Sequence, residues 1–238
     1  VGFDPGVFDP DSSIIKDSEP YSLDNRNEWI SQLKEVVEEA SGRGYVTPSA
    51  LADHTMFEAP KPEDNAESTE WNTARRGRGG TEVGSAVHSV LQDVNFDDHA
   101  NIDELIQQAV DAYSLSESPD DIAHLVNNVL ASPTIAGASA SNSWREAWVA
   151  AEVADGVEVE GAIDLVVRNT DGTVTIVDYK TDRVTGADLE TRAQGYEPQL
   201  AGYAIVLEKL GMKVRDAVLV FADGGSDGTA YEHVVSNL

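Results

Sequence analysis

The 238-residue chain contains no cysteine. That excludes disulfides, zinc–thiolate sites and cysteine-ligated iron–sulfur clusters, so any bound metal must rest on oxygen and imidazole. No run of about eighteen apolar residues occurs, which is the length a membrane-spanning helix needs. The opening Val-Gly-Phe-Asp-Pro carries no apolar signal-peptide region. No Gly-x-x-x-x-Gly-Lys-Ser/Thr loop is present to cradle nucleotide phosphates, so no nucleotide site is expected. Positive charge is scarce: 16 basic residues, only six of them lysine, face 43 acidic ones, for a net charge of −27. An acid-rich, lysine-poor surface points to a soluble, cytoplasmic protein of a halophile, where salt screens self-repulsion. A hydrophobic content of 41% in periodic segments argues against disorder.

The chain begins at Val1 and its first twenty residues are rich in Pro, Asp and Ser, which reads as a piece of a longer protein. We divide it into an irregular lead with one helix (1–44) and a single larger domain (45–238). Asp24 can cap the helix of the lead, Arg26 to Ala40, whose Trp29, Ile30, Leu33, Val36 and Val37 form an apolar stripe. Thr47 can cap a short segment with Pro48 at its first position. Glu58 to Glu70 reads as an acidic, proline-rich loop. It leads to Arg75, Arg76 and Arg78, a local reversal of sign suited to phosphate contact. A helix is expected over Glu82 to Val94, with Val83, Val87, Val90, Leu91 and Val94 inward and His88 one turn after Gly84. Two amphipathic helices, Ile102 to Leu115 and Pro119 to Leu130, read as scaffold.

From Ser143 the apolar period shortens to that of strands: Trp144 to Val153, Val157 to Val167 and Thr173 to Asp178, a meander. Glu146 lies in the first strand and faces either the acids or water, with a slight lean to water. Asn169-Thr170-Asp171-Gly172 separates the second and third, a strong hairpin signal. With a three-residue loop and Gly172 left-handed, Asp164 faces Asp178. A two-residue Asp171-Gly172 turn would instead set Asp164 against Tyr179. In the first register two carboxylates would oppose each other and need a positive charge between them. Lys180, two residues past Asp178, returns to that face. A loop (Thr181 to Asp188), a helix (Thr191 to Leu210), a strand (Val214 to Phe221) and an edge strand (Ala230 to Val235) complete the chain. Gln199 and Tyr203, four apart, share one helix face.

Gly84-Ser85-Ala86-Val87-His88, Gly161-Ala162-Ile163-Asp164, Val177-Asp178-Tyr179-Lys180-Thr181-Asp182 and Gln199-Leu200-Ala201-Gly202-Tyr203 together resemble the nuclease domain of RecB and AddA, within the PD-(D/E)xK superfamily. The similarity runs from about Tyr45 to Val220 and includes an entry motif, Val46 to Leu51. It implies an α/β, restriction-endonuclease-like core of helix, three-strand antiparallel meander, helix and strand, with added N-terminal and inserted helices. It also implies that His88, Asp164 and Asp178 are metal ligands, with the Tyr179 carbonyl as a fourth, and that Lys180 is catalytic. Gln199 and Tyr203 would contact DNA and support the site, and Glu146 stands where some relatives carry a further acid. Without cysteines, the chain resembles the cluster-free branch, in which the domain ends a UvrD-type helicase.

The implied chemistry is consistent with the residues. Oxygen-rich ligands suit Mg²⁺ or Mn²⁺, which can activate water and neutralise a scissile phosphate. The expected activity is metal-dependent hydrolysis of DNA, as an exonuclease acting on single-stranded or unwound ends. The helicase would come from the same longer chain or from a separate partner protein. The pathway would be end processing and recombinational repair. Attachment to such a motor would offset the weak phosphate binding of so acidic a chain at high salt, with Arg75 to Arg78 and an aromatic such as Trp71 or Tyr203 holding one strand. The alternative is a catalytically inactive module that binds DNA ends or a partner protein.

Overall fold

In the computed structural model, which describes residues 31, 45–50, 82–115, 119–154, 157–184 and 186–236, the apolar periods of the sequence become the two faces of a six-stranded sheet. The elements, in chain order, are β1 (Tyr45–Val46), α1 (Glu82–Asp93), α2 (Ile102–Ala112), α3 (Pro119–Ala131), α4 (Pro133–Ala136), β2 (Ser143–Ala154), β3 (Val157–Arg168), β4 (Val174–Lys180), α5 (Ala187–Lys209), β5 (Val214–Phe221) and β6 (Tyr231–Ser236). The strands pair in the order β1-β3-β4-β5-β6, and β2, off this path, also pairs with β3. β2, β3 and β4 form the antiparallel meander, and α5 carries the chain back so that β5 runs parallel to β4. This is the α/β order of a restriction-endonuclease-like core.

Alternation along each strand gives both faces an apolar surface, and helices cover both. On one face α5 packs Leu200 and Leu207 against Ile163, Ile176, Leu219 and Phe221. On the other, Val87, Leu91, Ile122 and Val126 of α1 and α3 meet Leu165, Val177 and Val220. β4, held between β3 and β5, is buried along its length up to Lys180, which is why Val174, Ile176 and Val177 do not alternate with exposed polar residues.

The β3–β4 turn selects the first of the two registers. Gly172 takes a left-handed φ of 84°. Its N–H donates to the Asn169 carbonyl at 3.1 Å, while the Asn169 N–H donates to the Thr173 carbonyl at 2.8 Å. A three-residue loop of this kind sets Leu165 opposite Val177.

Elsewhere the boundaries move for local reasons. α5 starts at Ala187, four residues before Thr191, because Asp188 and Glu190 suit the positive end of a helix although they have no apolar period. α2 stops at Ala112, short of Leu115, where Ser114 turns left-handed at φ 57°. The single turn of α4 has too few residues to show a period. The Arg26–Ala40 helix, the Glu58–Glu70 loop, Trp71 and the basic run Arg75, Arg76 and Arg78 fall outside the described residues, apart from residue 31. Among the described residues no helix is long and apolar enough to cross a membrane.

Candidate active site

β3 and β4 pair from Arg168↔Val174 as far as Leu165↔Val177, and there their ladder ends. Past that point the backbone of Tyr179 has no partner on β3, and a buried amide without a partner is costly. Side chains take over. The Tyr179 N–H donates to Asp164 Oδ2 at 2.7 Å, and the Tyr179 carbonyl lies 3.2 Å from His88 Nε2. The other ring nitrogen of His88, Nδ1, stands 3.4 Å from Asp164 Oδ1. The strand fork is thus closed by a carboxylate and an imidazole.

Glu146 joins them from the far side of β3. Its neighbours pair as Arg145↔Leu165 and Ala147↔Ile163, which sets Glu146 level with Asp164. Its own backbone adopts φ 45°, a left-handed geometry that costs a non-glycine residue about 1–3 kcal/mol and tends to occur where function requires it. The expected lean toward water does not hold: His88, Glu146 and Asp164 each offer a ligand atom, and these atoms lie within 4.8 Å of one another.

Asp178 sits level with Asp164 by the hairpin register but is engaged differently. Its Oδ1 accepts from Gln199 Nε2 at 3.0 Å, and its Oδ2 lies 2.5 Å from Lys180 Nζ. Lys180 Nζ also donates to Gln199 Oε1 at 3.1 Å. Gln199 therefore ties the lysine to the aspartate from α5. Asp178 is 3% exposed, and its Oδ2 makes no aligned hydrogen bond among the described residues. This arrangement leaves Asp178 outside the three-residue ligand group, in an ion pair with Lys180.

These contacts push the two carboxylates apart. Burial alone would raise the pKa of Asp164, but the charge and hydrogen bond of His88, the charge of Lys180 and the Tyr179 N–H hold it below the usual carboxylate range. Burial, helped by the charge of Asp164, raises Asp178 despite Lys180. Burial opposes a charged His88, yet Asp164 and then Asp178 outweigh it and push its pKa up to about 9. With an acceptor at each ring nitrogen, His88 carries a positive charge in a pocket of acids. A divalent cation fits the same electrostatic demand, and one imidazole with carboxylate oxygens suits Mg²⁺ or Mn²⁺.

The structure thus brings His88, Glu146, Asp164, Asp178, the Tyr179 carbonyl, Lys180 and Gln199 together. Tyr203 is expected from the sequence to contact DNA and support the site. It is buried and donates its hydroxyl to the Ala162 carbonyl at 2.7 Å, so it braces β3 and offers no ring face to a nucleic-acid base. Gln199, also buried, supports Lys180 and Asp178. Sequence reasoning passed over Tyr196. Its ring lies 4.0 Å beneath Lys180 Nζ, and the only available signal was its place one turn before Gln199 on the same helix.

The family model of the PD-(D/E)XK nuclease superfamily matches residues 66–233. A protein of Carboxydothermus hydrogenoformans, named as the A component of an ATP-dependent helicase/nuclease, is 47% identical over 64 residues, covering 26% of this chain and 5% of the relative. Proteins of the same name from Bacillus thuringiensis and Acetivibrio thermocellus are 29% and 27% identical over 178 and 162 residues, each covering 60% of this chain. The matched region spans only 14% and 13% of those two relatives.

Proposed function

Because the chain belongs to the PD-(D/E)XK nuclease superfamily, we propose that it is a metal-dependent deoxyribonuclease, an exonuclease acting on single strands unwound by a linked helicase during DNA end processing and repair. The observation that carries this reading is the row of acids across three strands, Glu146, Asp164 and Asp178, closed by His88 on one side and Lys180 on the other. The names of the relatives, which are helicase/nuclease components, support the helicase link and with it a cytoplasmic place beside DNA.

His88, Glu146 and Asp164 would hold the cation, with the Tyr179 carbonyl beside them and Asp178 available once its carboxylate turns from Lys180. Bound there, Mg²⁺ or Mn²⁺ supplies charge neutralisation at the phosphate and a water of lowered pKa. Lys180, fixed by Asp178 and Gln199, presents a positive charge where negative charge builds on the phosphate oxygens. Tyr203 and Gln199 keep β3 and β4 in place from α5.

The test is digestion of end-labelled single- and double-stranded linear DNA in high KCl with Mg²⁺, Mn²⁺ or EDTA, using wild type, Asp164→Ala and Lys180→Ala. Metal-dependent cleavage that falls by at least about 10²-fold in both variants is expected, and mononucleotide or short products would mark an exonuclease. A folded wild type that binds DNA ends but never cuts, even joined to its helicase, would replace this reading with the inactive binding module.

A further inference from the structure

Next to the acid row lie three side chains that the mechanism above does not use, Asp182, Arg192 and Tyr196. Arg192 and Tyr196 precede Gln199 at helical spacing along α5 and share with it the face turned to the carboxyl end of β4 and the loop after it. The Tyr196 ring sits under Lys180 with its centroid 4.0 Å from Nζ. Its hydroxyl donates to Asp182 Oδ2 at 2.7 Å, and Arg192 Nε donates to that same oxygen at 3.0 Å. The Arg192 guanidinium lies 5.2 Å from the ring centroid, and Phe221 supports the ring at 6.3 Å. Asp182 follows Lys180 by two residues, so the loop leaving β4 fixes the platform on which its own lysine rests.

We propose that Tyr196 is a positioning residue for Lys180, its ring face holding the ammonium over Asp178 and Gln199 while Asp182 and Arg192 fix the ring. This rests on the nuclease reading for its kinetic consequence, but not for its geometry. A lysine has a flexible four-carbon stem and loses rotamer entropy when it is fixed. Gln199 takes one donor of the ammonium, and Asp178 holds its charge in an ion pair. The negative face of an aromatic ring attracts the cation from a third side. Unlike a further carboxylate, a ring accepts no strong hydrogen bond, so it fixes the lysine without tying up the donor that must face a phosphate. The Tyr196 hydroxyl, committed to Asp182, holds the far end of the ring in place beneath the ammonium.

The placement is tested without metal or DNA. In protein labelled with ¹⁵N-lysine, a correlation of Hε with Nζ resolves the six lysines, and Lys180 is identified by loss of its signal in Lys180→Arg. The expected Hε signal of Lys180 is shifted upfield by the ring current, keeps only part of that shift in Tyr196→Phe, whose ring has lost its anchor to Asp182, and returns to the position of exposed lysines in Tyr196→Leu. In the cleavage assay, Tyr196→Leu should lower kcat roughly tenfold with KM within about twofold, and Tyr196→Phe, which keeps the ring face but not its anchor, should fall between the leucine variant and wild type. If the leucine variant does not fold, Asp182→Asn tests the same device by releasing the ring without emptying its space. It should reduce both the upfield shift and kcat.

An unshifted Lys180 signal in the wild type overturns the proposal, as does a folded Tyr196→Leu or Asp182→Asn variant with wild-type kcat. A wild type that shows the shift, loses it in Tyr196→Leu and yet cuts no DNA would count against the nuclease reading and leave the placement standing.

Discussion

His88 has an acceptor at each ring nitrogen, Asp164 Oδ1 and the Tyr179 carbonyl, and only the protonated ring can donate to both. Its pKa, raised from 6.5 to about 9, therefore ties stability to pH in a definite direction. The folded chain holds the proton more tightly than the unfolded one, so the contribution is complete below about pH 6.5 and is lost as the pH climbs through 9. Urea unfolding of metal-free wild type and His88→Ala between pH 6 and 10 should show a gap that narrows over that range. A gap constant with pH would mean that His88 stabilises by packing alone. At this scale the sequence disclosed His88, Asp164, Asp178 and Lys180 through their motifs. It did not disclose that Asp178 is taken up by Lys180 and Gln199, because which of two opposed acids pairs with a lysine depends on the neighbouring helix.

At the scale of elements, legibility followed the turns. The β3–β4 hairpin was readable because Gly172 supplies the one left-handed residue a three-residue loop requires. The β2–β3 pairing was readable as part of the meander, but its register was not. Ala154 pairs with Val157, and that register, continued, would set Glu146 against Leu165, but a one-residue shift between Glu152 and Ala154 brings it level with Asp164. Such bulges have no signature in composition, yet they re-aim a side chain, and here one delivers Glu146 to the site. Gly161 shows the converse, a position whose residue type is dictated from outside its strand. A Cβ there would lie 3.1 Å from Tyr203 Cε1 and 3.2 Å from Pro48 Cδ, and the tyrosine is fixed by its bond to Ala162. Gly161→Ala should lower unfolding stability by about 1–3 kcal/mol and reduce cleavage by displacing β3 next to Asp164. Urea titration with the nuclease assay checks both, and an unchanged midpoint would mean that Tyr203 moves aside freely.

For the whole molecule, the excess of acid sets the conditions under which any of this can be measured. A net charge of −27 repels itself over distances that salt shortens, from about 10 Å at 0.1 M to about 3 Å at 1 M. The melting temperature should therefore rise steadily between 0.1 and about 2 M KCl, which differential scanning calorimetry will show. A flat or falling curve would remove the high-salt reading of the composition. The α/β order was legible at this scale because a change of apolar period at Ser143 survives any charge content. The packing of both sheet faces was less so: α5 carries buried residues nearly all round its second half, and a helix without a polar side shows no stripe.

The fork after Leu165↔Val177 has one more consequence. It enlists a peptide group, the N–H and C=O of Tyr179, which every amino acid except proline provides in full. Alanine scanning is blind to such a participant, and natural drift can rewrite the side chain at 179 while the site keeps its backbone contact. Only chemistry on the main chain reaches it: proline at 179, or an ester in place of the amide, would unseat Asp164 while every functional side chain remained.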